Sequence, residues 1–372
     1  MLEEKPWYTI TNIAQLDSPA LVFYADRITE NIKRLKRNIK DIPRLRPHVK
    51  THKSAAVTLL MIDAGITKFK CATIAEAEML GMCKAPDVLL AYQLTGPKID
   101  RFIKLIRSYP DTQFSCLFDN EISIVEYAAA AIAAGLELNV FADLNVGMNR
   151  TGILPGEACL EIYKKAFDTP GLIVKGFHAY DGHIHDASCE VRKEKWLPIW
   201  RTLCQMEKQV LDSGMPRPVI IAGGTPTFPF YAGEDFVECS PGTFILWDKG
   251  YQDAFAEQLY LTAAVVITRV ISLTQDNLVS LDLGHKSIAA ENQLERRVFF
   301  LNAPDAVFVS QSEEHLVLDL GAKHGFSIGD VLYGLPIHIC PTVALYNYAS
   351  IIYNQEINDE WEITSRTRKI TI

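Results

Sequence analysis

The chain has 372 residues, 48% of them hydrophobic and 22% charged, and its 37 basic against 45 acidic side chains give a formal net charge of −8. This composition belongs to a globular chain with a large core and excludes a disordered, collagen-like or disulfide-stapled one. The acidic balance without a basic block argues against nucleic acid as a partner. No apolar run reaches the roughly 18 residues of a membrane span, so no membrane partner is expected. The charged stretch from Met1 to Ile10 lacks the apolar core of a signal peptide. The eight cysteines make no CxxC pair and sit mostly in apolar segments, which predicts reduced thiols and a cytoplasmic location.

In chain order, apolar runs at 20–25, 44–50, 68–73, 87–92, 113–119, 136–144, 172–180 and 218–224 read as strands. Amphipathic stretches lie between them. Residues 26–38 place Ile28, Ile32 and Leu35 on one face, Ala75–Met82 follows a capping Thr73, and Ile122–Ala134 repeats the pattern. Eight strands with intervening helices over about 225 residues fit a (β/α)8 barrel. A doubly wound sheet usually has an early glycine-rich turn, and the first strand here runs into Asp26-Arg27-Ile28 instead. After about residue 255 the texture changes to short strands and polar turns. The expectation is an α/β chain: a (β/α)8 TIM-type barrel over 16–254, and a second, mainly β domain formed by 255–372 together with 1–15.

In such a barrel the chemistry sits where strands end. The second run ends in Arg46-Pro47-His48-Val49-Lys50-Thr51-His52-Lys53. It is either a solvated loop or the setting of a lysine whose amine is activated to form a Schiff base by burial and neighbouring charge. Asp143–Gly152 presents Arg150 on a glycine-flanked loop, suited to a phenolate or carboxylate. Residues 178–186 gather three histidines, a tyrosine and two aspartates, with His183 and His185 as candidate acid–base residues. Gly223-Gly224-Thr225 and Gly242-Thr243 offer free N–H groups to an anion. His338 and Cys340, two apart on an expected strand, have either metal-ligand spacing or the ordinary role of a core cysteine beside a buried histidine.

Together these motifs resemble the D-threonine aldolase and eukaryotic-type D-serine dehydratase family, which is alanine-racemase-like (fold-type III) and uses pyridoxal 5'-phosphate (PLP). The resemblance runs from Asp17-Ser18-Pro19-Ala20 to His338-Ile339-Cys340-Pro341-Thr342. It implies that Lys50 carries PLP, Arg150 lies by its phenolic oxygen, Tyr180 lies by its ring, and Gly223, Gly224, Thr225, Gly242 and Thr243 hold its phosphate. It further implies that His338 and Cys340 bind a divalent metal, with zinc ahead of manganese because a thiolate is a soft ligand. The substrate is then a small D-configured β-hydroxy amino acid and the protein a homodimer. Retro-aldol cleavage to glycine and an aldehyde leads; β-elimination to a 2-oxo acid and ammonia, or racemisation, are the alternatives. Cys340 stands where the aldolases more often carry an aspartate, which draws the reading toward the dehydratases. Glu291 stands where an aspartate is common.

Overall fold

The computed structural model describes residues 5–372; residues 1–4 of the stretch assigned to the β domain lie outside the described residues. The chain divides into two compact units. One holds the residues up to Arg34, Thr51–Ala56 and Thr243–Arg366; the other holds Leu35–Lys50, Val57–Gly242 and Thr367–Ile372.

The strands are β1 (Ala20–Tyr24), β2 (Lys68–Cys71), β3 (Asp87–Gln93), β4 (Gln113–Phe118), β5 (Leu138–Leu144), β6 (Leu172–Ala179), β7 (Val219–Ala222) and β8 (Val237–Cys239). They are followed by β9 (Ala264–Leu273), β10 (Leu278–Leu281), β11 (Val298–Phe300), β12 (Val307–Gln311), β13 (Leu316–Asp319), β14 (Val331–Pro336), β15 (Tyr348–Tyr353) and β16 (Glu356–Glu362).

Strands β2 to β8 form a parallel sheet in sequence order, as short crossovers through helices require. Side chains from β3, β4, β5 and β7, namely Leu89, Leu117, Phe141 and Ile221, pack into a shared cluster. The connecting helices start where the sequence provides caps. Thr73 Oγ1 accepts from the Glu76 N–H at 3.1 Å, and Asn120 Oδ1 accepts from the Ser123 N–H at 2.9 Å.

The segment 45–49 closes this sheet into a barrel. Its Arg46 N–H donates to the Cys239 carbonyl (2.8 Å) on one side, and its Val49 N–H donates to the Lys70 carbonyl (2.9 Å) on the other. Parallel bridges Leu45–Cys239 and His48–Lys70 give the same register. Buried side chains reinforce the seam. Arg46 bonds Glu238 of β8 at 2.7 Å and clamps both carboxylate oxygens of Asp87 at 2.7 and 2.9 Å. Lys68 also pairs with Glu238. Arg44 donates to the carbonyls of Tyr231, Ala232 and Val237. The (β/α)8 architecture is therefore present, with its eighth position filled by a segment that makes isolated bridges.

Residues 20–25, read above as the first barrel strand, lie elsewhere. β1 runs antiparallel to β9 (Val22 opposite Val265) and parallel to β15 (Val22 opposite Ser350) in a nine-stranded, mainly antiparallel sheet. A fully buried apolar run looks the same at the centre of a mixed sheet as in a parallel barrel, so periodicity cannot tell them apart. Around it pack Ile10, Tyr24, Ile267, Tyr333 and Leu335, with Trp7 and Tyr8 covering them.

None of the eight cysteines forms a disulfide, and five are buried. Among the described residues, no helix is long and apolar enough to cross a membrane.

Candidate active site

The C-terminal strand ends of the barrel surround a cavity of about 550 Å³. Its wall contains Lys50 from the closing segment, Lys70 from β2, Gln93 from β3, Asp119 after β4, Arg150 and Thr151 from the loop after β5, and His178 and Tyr180 at the end of β6. Three residues singled out by sequence, Lys50, Arg150 and Tyr180, thus meet in one place. The Tyr180 ring is their common neighbour. The Lys50 amine lies 5.8 Å from the ring centroid, the Arg150 guanidinium 5.2 Å and the Lys70 amine 5.3 Å.

Two glycines admit that ring. A Cβ on Gly182 would fall 2.4 Å from the ring and its hydroxyl, and a Cβ on Gly224 would fall 3.2 Å from Cε2. The glycine turn after β7 therefore lies directly against Tyr180. Next to it, the Gly242 N–H donates to Thr225 Oγ1 at 3.0 Å, tying the two glycine turns together.

Below the ring lies a polar floor that sequence pattern does not reveal. Asp143 accepts from His178 Nδ1 (2.7 Å), Thr151 Oγ1 (2.7 Å) and Gln93 Nε2 (2.8 Å). The same Gln93 amide reaches Asp119 at 3.0 Å. Burial raises the Asp143 carboxyl, but these hydrogen bonds outweigh it and hold the group below its usual range. Burial, then the nearby Lys70 charge, push His178 down despite Asp143. The pair is thus neutral imidazole on carboxylate, with His178 Nε2 buried and unpartnered. Lys70 is buried as well. Burial first, and then the charge of Lys50, bring its amine down to about 7.

His183 and His185 do not line this cavity. The His183 ring packs on Gly147, where a Cβ would come within 2.6 Å of Nε2, and His185 is exposed.

In the other unit, His338 and Cys340 are adjacent, but not on one strand as expected. β14 stops at Pro336 and a short helix, Ile339–Val343, begins after His338. Pro341 within it supplies no amide hydrogen for a ladder, so an extended continuation is disfavoured. Burial lowers the His338 imidazole, but the Cys340 and Glu291 side chains outweigh it and hold the group near 9. Glu291 Oε1 lies 2.6 Å from His338 Nδ1. The Cys340 sulfur is 3.3 Å from Thr51 Oγ1 and 3.9 Å from Thr243 Oγ1. Among the described residues no cluster of three or more His, Cys, Asp or Glu could hold a metal, so this pair provides two donors only.

A barrel of this kind with a lysine at its closing segment and a separate β unit defines the alanine-racemase-like class. The family model "Alanine racemase, N-terminal domain" matches residues 24–248, more than half of the chain, and the chain belongs to that family. A second model, "Putative serine dehydratase domain", matches 263–352. The chain is 27% identical over 370 residues to a 3-hydroxy-D-aspartate aldolase of Paracoccus denitrificans, covering 95% of this chain and 93% of the relative. Among solved structures it superposes on D-threonine aldolase from Filomicrobium marinum with a TM-score of 0.88 at 23% identity, covering 98% and 99% of the two chains. It also superposes on D-threo-3-hydroxyaspartate dehydratase from Delftia sp. HT23 with a TM-score of 0.84 at 23% identity, covering 94% and 98%. At that identity the structural likeness shows the fold alone. A cysteine-to-alanine variant of a D-threo-3-hydroxyaspartate dehydratase is described in a metal-free form.

Proposed function

We propose that the protein is a PLP- and divalent-metal-dependent lyase that cleaves D-configured β-hydroxy amino acids to glycine and an aldehyde. The observation that carries this reading is the meeting of Lys50, Arg150 and Tyr180 in one cavity, whose lining holds four cationic side chains (Lys50, Lys70, Lys98 and Arg150) and the carboxylate of Asp119. That donor set fits a flat, anionic aldehyde. Lys50 is its covalent anchor, Arg150 the partner of its phenolic oxygen, and Tyr180 the ring beside it. Gly223, Gly224, Thr225, Gly242 and Thr243 supply N–H and hydroxyl groups for its phosphate. When bound, PLP supplies an electron sink for charge developing on the substrate's α-carbon.

His338 and Cys340 are the proposed metal ligands, with Glu291 bonded to the imidazole at Nδ1. A thiolate and an imidazole suit zinc ahead of manganese. The aldolase and dehydratase relatives support the lyase reading; racemisation is the weaker one, because it leaves His338 and Cys340 without a role. Cys340 favours dehydration as the second reading, since the dehydratase variant described in a metal-free form had lost a cysteine. Cysteines without disulfides agree with a cytoplasmic location, and a homodimer is the proposed assembly.

The test is product analysis on the cofactor-loaded enzyme with D-threonine, D-serine and D-3-hydroxyaspartate. Aldehyde and glycine formation that stops on chelation and returns with metal supports aldol cleavage. A 2-oxo acid with ammonia supports dehydration. Turnover that survives verified metal loss and yields only the L-enantiomer overturns the lyase reading.

A further inference from the structure

The cavity contains a second amine. Lys70 sits on β2 with its backbone held on both sides, its N–H donating to the Pro47 carbonyl and its carbonyl accepting from Val49. The residue is 4% exposed and lines the same cavity as Lys50. Among the described residues, no hydrogen bond or ion pair reaches its Nζ; its nearest described relationship is to the face of Tyr180. A buried ammonium without a partner is costly, so such a group either meets an anion or gives up its proton.

The groups facing Lys70 favour the second course. Lys50 comes from the closing segment, Asp143 and Arg150 from β5 and its following loop, and His178, Tyr180 and Asp181 from the end of β6. Asp143 already accepts from His178, Thr151 and Gln93; Asp181 accepts from Thr227 at 3.0 Å on one oxygen, and burial pushes its carboxyl up, which weakens it as a counter-charge. The balance leaves the Lys70 amine at about 7, the range in which an amine accepts and returns protons at neutral pH. His48 Nδ1 accepts from the Lys50 N–H at 3.3 Å, and His178 Nδ1 faces Asp143 while its Nε2 is buried without a partner.

We propose that Lys70 is the proton-transfer residue of this site, distinct from the anchoring Lys50; this rests on the lyase reading above. The Nζ lone pair takes the proton of the substrate's β-hydroxyl. The O–H electron pair becomes the second C–O bond of the aldehyde, and the Cα–Cβ pair passes to Cα. The resulting ammonium then gives the same proton to Cα, so that glycine forms and the amine is restored with no other reactant consumed.

The experiment compares wild type, Lys70→Met and Lys70→Arg as holoenzymes on D-threonine, alongside competitive acylation of lysines read by peptide mass spectrometry across pH. Both variants are expected to retain the cofactor's visible absorption, lose about 10²- to 10⁴-fold in kcat, and lose the limb of the pH profile near neutrality. Lys70 in the wild type is expected to label with a midpoint well below that of a free lysine. A Lys70→Arg enzyme within a few-fold of wild type overturns the proposal, because charge alone then suffices. A labelling midpoint near that of a free lysine, or variants that lose the cofactor, overturn it equally. Wild type that releases neither aldehyde nor 2-oxo acid overturns the lyase reading itself, and this proposal with it.

Discussion

Asp143 and His178 stand opposite one another in register on adjacent parallel strands, and their side chains meet in a buried 2.7 Å hydrogen bond at the mouth of the barrel. The backbone pairing sets the side-chain pairing, so the orientation of the imidazole is fixed by the fold before any ligand arrives. Asp143 accepts from three donors, and its truncation leaves His178 Nδ1–H, Thr151 and Gln93 without a partner. Asp143→Ala is therefore expected to cost about 2–4 kcal/mol. Asp143→Asn, which keeps one acceptor, is expected to cost about half as much. Urea unfolding midpoints check both; equal losses for the two variants would contradict this account.

The barrel seam makes a second prediction. Arg46 is buried between Glu238 and Asp87, and burial is outweighed by those carboxylates, which hold the guanidinium charged. Removing it leaves two carboxylates facing a vacated site, with Lys68 as the remaining cation on Glu238. Arg46→Ala is expected to cost about 3–5 kcal/mol. Adding Glu238→Gln to it should recover part of the loss, because one stranded charge is then gone. Denaturant melts of the single and double variants measure this coupling directly.

His52 gives a pH dependence. It is buried, its Nδ1 accepts from the Ser54 N–H at 3.2 Å, and burial pushes it down to about 3. The unfolded chain protonates histidine near 6.5, so below that pH the unfolded state binds a proton that the folded state refuses. The stabilisation is complete above about 6.5 and is lost as pH falls toward 3, at about 1.4 kcal/mol per pH unit. His178, also shifted down, acts in the same direction. Urea midpoints between pH 7.5 and 5.5 should fall steeply in wild type and less steeply, by about one proton's slope, in His52→Gln. An unchanged slope would contradict the assignment.

Much of this is legible in the chain, and the exceptions have physical reasons. The Arg46–Lys53 cluster, the Arg150 loop and Tyr180 announce themselves because chemistry-bearing residues are concentrated at strand ends. Lys70 does not, because the alternating lysines of Lys68-Phe69-Lys70-Cys71 read as the outward face of a short strand. Only the curvature and register of the closed barrel show that it faces in. Asp143 is hidden for a related reason: its partner His178 lies 35 residues away, and only strand pairing joins them. β1 was misassigned to the barrel because burial on both faces erases the alternation that separates one sheet type from another. The His338–Cys340 spacing was legible, whereas the helical turn that carries Cys340 was not.

The anchoring role of Lys50 is the claim on which the functional reading stands, and borohydride reduction of the PLP-loaded protein tests it. The reduced enzyme, digested and read by mass spectrometry, should carry the phosphopyridoxyl group on the peptide containing Lys50, and Lys50→Ala should lose both the modification and the visible absorption band. A label on Lys70 or another lysine, or a wild-type protein that binds no PLP, would contradict it.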